Sequence, residues 1–565
     1  MKLGIVGGGA AGAATAIAVM LRGQWVSRCV DKLGTANPVQ ILAGAITRRR
    51  PAIGSGATGV LFACAIGLAG CASLPPLAPQ APTVAVDPPA DSQLAQLAAH
   101  SLHEPGDSGF QILPISYGSM AARVTLADRA EKTLDVQYYE IAADTTGQYF
   151  LRALYRAAKR GVRVRVLIDD LHTVGEDALL ESFAETPNVE VRLFNPFPGG
   201  RSSIPLRFMR SLDDLQRTNH RMHNKLFIAD NTFAVMGGRN IAGEYFLRKP
   251  DHNFLDLDLL AAGPIVRDLS KSFDAYWNSK YAYPVAAIAS PGVRGRSEQY
   301  FMDKTGGLMR PDPPGMNLGM ERYEALVDQL RGESVPLIEA PARVVADVPD
   351  KIAGSGRRDH GDTVRREFSA LVATAQDNVI AMSPYFVPGK DGIAHIAAMR
   401  KRGVKVLVFT NSLASNDTML AHIGYARYRF RLLRLGVDLY ELNPTQPFKR
   451  GRFGDFGASR AQLHAKLATV DGKTLFIGSM NLDNRSANLN TEVAVIVNSP
   501  ELTAEVHSLI DLGSAYNVRL TEDGHLQWVG SSEDYVELID HEPNTSEWER
   551  VEVELLGPLV PESML

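Results

Sequence analysis

The chain has 565 residues, of which 45% are hydrophobic and 22% charged, as in ordinary globular proteins, and this length allows two or three domains. Its formal net charge of −4 argues against a broad nucleic-acid-binding surface, so no nucleic-acid partner is predicted. After residue 71 the apolar stretches are too short to span a membrane.

The chain begins with a glycine pattern that resembles the start of a dinucleotide-binding fold. Gly7, Gly9 and Gly12 follow a short apolar run and precede an alanine-rich stretch, and Asp31 lies roughly where a ribose-binding acid belongs. That fold needs further parallel strands on the same sheet, and the sequence does not supply them. A flavin or nicotinamide oxidoreductase therefore remains an alternative from a different class, which a flavin-like absorbance of the purified protein would support.

Residues 1–70 have the layout of a precursor segment with a lipoprotein signal peptide. Three arginines at 48–50 precede a 12-residue apolar run at 57–68, and "LAGC" at 68–71 resembles a bacterial lipobox. Cys71 would then carry the lipid and would be the only cysteine left after cleavage. This predicts anchoring through Cys71 on the periplasmic side of a Gram-negative-type envelope. The choice of inner or outer membrane and the true start codon are left open.

The Pro-rich stretch at 71–105 is predicted to be an extended tether, and a folded body begins near residue 106. There, a buried strand at 134–141, a helical segment and an alternating strand at 162–170 predict a β-α-β unit. The second half repeats this order. We predict that the body comprises two domains and a C-terminal tail, with limits 106–335, 336–520 and 521–565.

Two short motifs show that the halves are duplicates. "HNKLFIAD" at 223–230 recurs as "HAKLATVD" at 464–471, which is 241 residues later. Asp230 leads to "GGRN" at 237–240, and Asp471 leads to "GSMN" at 478–481. A period of this length indicates duplication of a whole domain rather than a solenoid repeat.

The repeated residues suit chemistry on a phosphodiester. On a strand, His223 and Lys225 share a face, as do His464 and Lys466, because side chains alternate. Lysines, with Asn240 and Asn481, can stabilise negative charge, while one histidine attacks phosphorus and the other protonates the leaving alkoxide. The lysines supply the positive charge, so neither a metal nor a cofactor is predicted.

The wider text resembles the phospholipase D superfamily, and most closely the bacterial cardiolipin synthases of the C type. Stretches such as "LDVQYYEI", "RMHNKLFIAD", "GGRNIAGEYF" and "LNTE" carry this resemblance, which covers roughly residues 110 to 550. It implies an α/β fold with two tandem phospholipase D-like domains. Each would be a mixed β-sheet flanked by helices, with the active site at the pseudo-twofold interface.

The resemblance also implies ping-pong transfer through a phosphohistidine. His223 would be the nucleophile and His464 the acid and base, although the near symmetry leaves that order open. Asp256 and Glu492, which follow the two histidines by 33 and 28 residues, would orient them. The remaining motif residues would be structural: Asp230, Gly237, Gly238, Asp471, Gly478 and Ser479.

The expected partners are phospholipids at a membrane surface. The resemblance implies phosphatidylglycerol as acceptor and either phosphatidylglycerol or phosphatidylethanolamine as donor. Water as acceptor would instead make the enzyme a hydrolytic phospholipase D or another phosphodiesterase, and the chemistry alone does not decide. The oligomeric state is left open.

Overall fold

The computed structural model describes residues 73–211, 213–290, 292–293, 295–306, 320–353, 363–445, 453, 456–531 and 536–560. The predicted precursor segment, the glycine pattern at Gly7 and the predicted lipidation site Cys71 lie outside these ranges. Across the described ranges, no helix combines the length and apolar character needed to cross a membrane.

The first half alternates strands and helices. Its helices are α1 (Gln93–Ser101), α2 (Ser116–Arg129), α3 (Thr145–Lys159), α4 (Asp177–Ala184), α5 (Ile204–Met209), α6 (Leu215–Thr218), α7 (Pro264–Trp277), α8 (Val285–Ile288), α9 (Glu298–Thr305) and α10 (Met320–Arg331). Its strands are β1 (Ser108–Leu113), β2 (Thr133–Tyr138), β3 (Arg163–Asp169), β4 (Val189–Phe194), β5 (Leu226–Ala229), β6 (Phe233–Gly237), β7 (His252–Leu255), β8 (Asp258–Ala262), β9 (Ala282–Pro284) and β10 (Ile338–Ala340).

The second half repeats this alternation. Its helices are α11 (Val364–Ala373), α12 (Gly389–Lys401), α13 (Met419–Arg434), α14 (Asn484–Asn488), α15 (Pro500–Leu509) and α16 (Glu547–Leu556). Its strands are β11 (Ala342–Ala346), β12 (Asn378–Met382), β13 (Lys405–Asn411), β14 (Asp438–Leu442), β15 (Arg460–Leu463), β16 (Leu467–Val470), β17 (Thr474–Gly478), β18 (Val493–Asn498), β19 (Ala515–Leu520), β20 (Leu526–Ser531) and β21 (Val536–Ile539).

Each half is built on one large mixed sheet. In the described residues, the first sheet has the order β10-β1-β8-β6-β5-β2-β3-β4-β9 and the second β11-β18-β17-β16-β12-β13-β14-β19-β20-β21. Three neighbouring strands run parallel in each sheet, β2-β3-β4 in the first and β12-β13-β14 in the second. The predicted fold class, two duplicated mixed sheets flanked by helices, is confirmed.

Some element positions differ from the predicted domain limits. The strand β10, which follows residue 335, pairs with β1 at the edge of the first sheet. The hairpin β20-β21 extends the second sheet, although its residues were predicted to belong to a C-terminal tail. Short strands that add to a sheet edge carry a weak sequence signal, because only part of each strand is buried.

The predicted tether also differs from the structure. Helix α1 packs Leu94 and Leu97 into the core of the first half, where both are almost fully buried. Upstream of it, Thr83 accepts a hydrogen bond from the Trp277 indole at 2.9 Å and donates its own N–H to Asn278. From Thr83 onward the chain therefore lies against the body.

Each His-Lys motif leads into a β-hairpin whose turn begins at an aspartate. Asp230 and Asn231 have φ angles of 49° and 50°, and Asp471 and Gly472 have 54° and 61°. Two successive positive values give the tight turn that matches the twist of a hairpin. The Asp230 carboxylate accepts three backbone N–H groups at 2.8 Å from the residues leading into β2, and Asp471 does the same before β12. Each aspartate therefore connects the turn of its hairpin to the start of the neighbouring strand, β2 or β12.

The two halves exchange backbone hydrogen bonds where they meet. Strand β7 of the first half pairs in parallel with β15 of the second. On the other side of the pseudo-twofold axis, Met222 pairs with Thr491. One continuous apolar core contains buried residues of both sheets, among them Leu226 and Leu467. The segments that carry the two histidines are therefore held by the opposite half.

Candidate active site

Both His-Lys pairs lie just before the first strand of their hairpins. His223 and Lys225 precede β5, and His464 and Lys466 precede β16. All four side chains are buried, with exposed fractions between 1% and 7%. Lys225 and Lys466 are therefore largely removed from water. Burying their charges is costly unless anionic groups lie near them.

The His223 imidazole is fixed by a carboxylate from the second half. Its Nδ1–H donates to Glu492, with Oε2 at 3.0 Å and Oε1 at 3.1 Å. Its backbone N–H donates to the carbonyl of Thr491 at 2.9 Å. The Tyr139 ring packs edge-on against the imidazole, with centroids 5.0 Å apart. Because Nδ1 is used by Glu492, the lone pair of the neutral ring is on Nε2.

The His464 imidazole has the matching arrangement with the first half. Asp256 Oδ2 lies 2.7 Å from its Nδ1, and the Lys466 ammonium lies 2.9 Å from the same nitrogen. The backbone N–H of His464 donates to Leu255 at 2.7 Å. On the other side of the ring, the Tyr245 hydroxyl is 3.3 Å from Nε2. His464 is therefore held at both nitrogens.

The carboxylates are exchanged between the halves. Each orienting acid was located in the sequence by its distance from the histidine of its own half, yet Asp256 contacts His464 and Glu492 contacts His223. The reason is the exchange of backbone hydrogen bonds at the joint. Asp256 directly follows β7, which pairs with the strand leading to His464, and Glu492 follows Thr491, which pairs with the segment leading to His223.

The exchanged carboxylates bring the two sets together, and the charges of each set shift the pKa values of the other. Besides burial, the positive charges of Lys466 and Lys225 and the neighbouring His223 lower the pKa of His464 well below its usual value. Burial likewise lowers the pKa of His223 to about 4, with Lys225 and Lys466 adding to it while Glu492 opposes it. Both imidazoles are therefore neutral at pH 7 in the free protein.

The lysines are also shifted. Burial lowers the pKa of Lys225 to about 7 and that of Lys466 to about 8, against the opposing effect of Glu492 and Asp256. Burial disfavours the charged form of Glu492, but His223 and Lys225 outweigh it and lower its pKa. An anion placed between the lysines would restore their full charge, so the site is suited to bind a phosphodiester.

Asn240 and Asn481 lie three residues past the start of the "GGRN" and "GSMN" motifs, and both are buried. The Asn240 amide donates to the Tyr245 hydroxyl at 2.9 Å. In the described part of the chain, neither Oδ1 atom has a hydrogen-bond partner. Unpaired buried polar atoms are rare in folded proteins and often mark a functional site.

The glycines of these motifs allow close approach of neighbouring groups, which at Gly238 is the Asp256 carboxylate. A Cβ at Gly238 would lie 2.2 Å from Asp256 Oδ1, and one at Gly237 would lie 2.5 Å from a backbone oxygen. At Gly478 a Cβ would lie 2.3 Å from the carbonyl oxygen of Val493. Ser479, which corresponds to Gly238, donates its hydroxyl to Glu492 at 2.5 Å. The two halves thus support their carboxylates differently.

Tyr139 and Tyr245, which contact the two imidazoles, were not predicted from the sequence. Both occur in stretches quoted for the resemblance, "LDVQYYEI" and "GGRNIAGEYF". They have no counterpart at the equivalent positions of the second half, so the internal repeat gave no signal for them. Within the described ranges, no three His, Cys, Asp or Glu side chains cluster as metal ligands do.

The family described as "Cardiolipin synthase, PLD-like domain" matches residues 124–277 and 369–511, one segment in each half. Cardiolipin synthase C of Escherichia coli (strain K12) is 38% identical over 469 residues, which are 82% of this chain and 97% of that protein. Cardiolipin synthase of Geobacillus kaustophilus (strain HTA426) is 26% identical over 388 residues, which are 68% of this chain and 61% of that protein.

A solved structure agrees with the fold. Phosphatidylserine synthase of Haemophilus influenzae matches 81% of this chain and 94% of its own, with a TM-score of 0.52 and 14% identity, which is a likeness of fold alone. The family match and the relatives show that this chain is a phosphatidyltransferase of the phospholipase D type. It belongs to the cardiolipin synthase family with PLD-like domains, and the predicted family and enzyme class are confirmed.

Proposed function

We propose that the enzyme forms cardiolipin by moving a phosphatidyl group through a phosphohistidine at His223 to the hydroxyl of a phosphatidylglycerol. The observation that supports this most is the pair of buried imidazoles, each backed by a carboxylate of the opposite half and each beside a lysine. This arrangement provides a neutral nucleophile, a second proton-carrying ring and two cations for the phosphate oxygens.

In the first step, Nε2 of His223 attacks phosphorus and forms a P–N bond. The P–O bond to the donor's headgroup breaks, and His464 gives a proton to the departing alkoxide. Lys225, Lys466 and the two asparagine amides stabilise the charge on the non-bridging oxygens. Burial and the lysines lower the pKa of His464. His464 therefore becomes protonated, and able to act as the acid, only when the anionic phosphodiester lies beside it.

In the second step, neutral His464 takes the proton of the acceptor hydroxyl. The acceptor oxygen then attacks phosphorus, the P–N bond breaks, and His223 returns to its neutral form. Phosphatidylglycerol as acceptor gives cardiolipin, whereas water gives phosphatidic acid. The relatives named cardiolipin synthase support the first outcome, and the donor is either a second phosphatidylglycerol or phosphatidylethanolamine.

Lipid chromatography tests this function directly. Membranes of a cardiolipin-deficient host that expresses the chain should gain cardiolipin, and the same host with His223→Ala should not. Labelled phosphatidylglycerol and labelled phosphatidylethanolamine, supplied separately, identify the donor. Accumulation of phosphatidic acid without cardiolipin would contradict the proposal and indicate a hydrolase.

We further propose that the mature chain starts at a lipid-modified Cys71 and works at a membrane surface on the periplasmic side. The basic region, apolar run and "LAGC" sequence before Cys71 support this. Mass spectrometry should find a lipid-modified N-terminal Cys71 peptide, and Cys71→Ala should release the protein from the membrane fraction. An unmodified peptide starting at Met1 on active protein would contradict it.

A further inference from the structure

The cores of the two duplicated halves differ at one place close to the active site. In the first half, three aromatic side chains pack together there: Tyr138, Phe150 and Phe227. Phe150 lies 6.1 Å from Tyr138 and 6.0 Å from Phe227 between ring centroids, and all three are fully buried. They fill the space between helix α3 and the sheet.

The equivalent positions of the second half all carry small residues. Tyr138 is the fifth residue after Thr133, and Ser383 is the fifth after its counterpart Asn378. The same counting from the histidines relates Phe227 to Ala468. Counting back from the glycines that end the two helices, Gly161 and Gly403, relates Phe150 to Gly392.

This side of the second half contains a cavity of about 130 Å³. It lies between helices α11 and α12 and the face of β12 and β13. Its walls are mainly apolar and include Phe368, Val379, Ala381, Gly392, Ile396 and Met480. Cavities of roughly 150 Å³ with such walls stay dry and accept a benzene-sized apolar group.

One residue of the active site borders the cavity. Asn481, which belongs to the second catalytic set, lies in its wall together with the next residues Leu482 and Asp483. Asn481 is 6% exposed, and its Oδ1 has no hydrogen-bond partner among the described residues. A ligand whose polar group is held between the lysines could therefore extend an apolar segment into this space.

We propose that the cavity binds the first segment of one acyl chain of the phospholipid whose phosphate lies between the histidines. This rests on the proposed function, because a phospholipid is the substrate that places hydrocarbon beside a reacting phosphate. The cavity has room for roughly six carbons. Gly392 lines the cavity, and in the first half its counterpart Phe150 fills this position with an aromatic ring, so the acyl site belongs to the second half.

A chain-length series tests this without membranes. The substrates are deacylated phosphatidylglycerol, which has no acyl chain, and water-soluble dibutanoyl, dihexanoyl and dioctanoyl phosphatidylglycerol. Each methylene buried in the cavity should raise kcat/KM about fourfold. The rise should continue from dibutanoyl to dihexanoyl phosphatidylglycerol and should stop in dioctanoyl phosphatidylglycerol, whose chains exceed the space of about six carbons.

A matched pair of variants on helix α11 separates the cavity from the chemistry. Ser369 lines the cavity, whereas the next residue, Ala370, is exposed. Ser369→Phe should lower kcat/KM for dihexanoyl phosphatidylglycerol at least tenfold more than for the deacylated substrate, and Ala370→Phe should resemble the wild type. Ala487→Phe fills the cavity from α14 and replaces Ser369→Phe if that variant does not fold. Phenylalanine at Gly392 is unsuitable, because its Cβ would lie 2.8 Å from the Pro388 ring.

The outcomes distinguish the acyl site from the proposed function. If the wild type turns over the deacylated substrate and the acylated ones equally well, the acyl site is wrong and the function stands. If a folded Ser369→Phe loses both activities equally, the cavity does not bind the chain. If no phosphatidylglycerol, acylated or deacylated, is turned over, the proposed function itself fails.

Discussion

Asp256 Oδ2 lies 2.7 Å from Nδ1 of His464, although the two residues are 208 positions apart and belong to different halves. Glu492 and His223 form the matching contact in the opposite sense, 269 positions apart. Neither half therefore holds a complete histidine-carboxylate pair. Folding and docking of both halves must precede activity.

The exchanged carboxylates predict which step each acid serves. Glu492→Gln should slow the attack by His223, and Asp256→Asn should slow the steps of His464, each by up to about 100-fold. With a phosphatidyl nitrophenol ester, which needs no acid for its leaving group, Asp256→Asn should keep a rapid burst of nitrophenol. Glu492→Gln should lose this burst.

The control for these variants is Asp268→Asn, whose carboxylate is about half-exposed and pairs with Lys271. It should behave as the wild type. A burst that disappears in Asp256→Asn and survives in Glu492→Gln would show that each acid serves the histidine of its own half.

The buried lysines predict the pH dependence. A lysine stabilises the phosphate oxygens only while it is protonated, and burial lowers the pKa of Lys225 to about 7 and of Lys466 to about 8. We therefore expect kcat/KM to fall as the pH rises through 7 to 8. Burial lowers the pKa of His223 to about 4, so protonation of the nucleophile should limit the rate only near that pH.

Arginine variants test the cause of this alkaline fall. Arginine keeps its charge throughout this range. Lys225→Arg should therefore have a lower rate, and its fall should move to about pH 8, where Lys466 titrates. Lys466→Arg should also have a lower rate but should keep the fall near pH 7, because Lys225 remains. An alkaline fall that stays near pH 7 in Lys225→Arg would mean that another group causes it.

The motif glycines predict two kinds of defect. Alanine at Gly478 would press on the backbone of Val493, so it should destabilise the fold by about 1 to 3 kcal/mol. Alanine at Gly238 would meet the Asp256 side chain, which can move. This should displace the carboxylate from His464, so kcat should fall while the free energy of unfolding changes little. Urea unfolding and kcat measurements on the same samples compare the two.

Gly292→Ala is the control, because nothing lies within 4 Å of a Cβ there. Its stability should change by no more than about 0.5 kcal/mol. If Gly478→Ala has the same free energy of unfolding as this control, the close approach to Val493 does not destabilise the fold and the prediction is wrong.

The sequence predicted the parts of the site that the duplication repeats. The spacing from His223 to Asn240 recurs from His464 to Asn481, and the alternating strands and turn aspartates placed both sets on hairpins. The exchange of carboxylates was not predictable, because chain order says nothing about which half a strand pairs with. Tyr245 was missed because it has no repeated counterpart.

Composition misled the interpretation of the stretch from residue 93 to 101, whereas residues 73–89 contain no helix or strand. The prolines favoured an extended segment, but Leu94 and Leu97 recur at helical spacing and are buried in the core of the first half. The cavity of the second half also escaped prediction, because Gly392 stands where the first half has Phe150. The difference between the two halves became apparent only from the packing of Tyr138, Phe150 and Phe227 in the first half.

The most direct test of the central claim is to trap the phosphohistidine. A labelled phosphatidyl nitrophenol ester should phosphorylate His223 in the His464→Ala protein, and the acid-labile label should accumulate, because the base of the second step is missing. His223→Ala should give no label and almost no product. Label that accumulates in His223→Ala and not in His464→Ala would reverse the roles, and activity without label in both variants would contradict the mechanism.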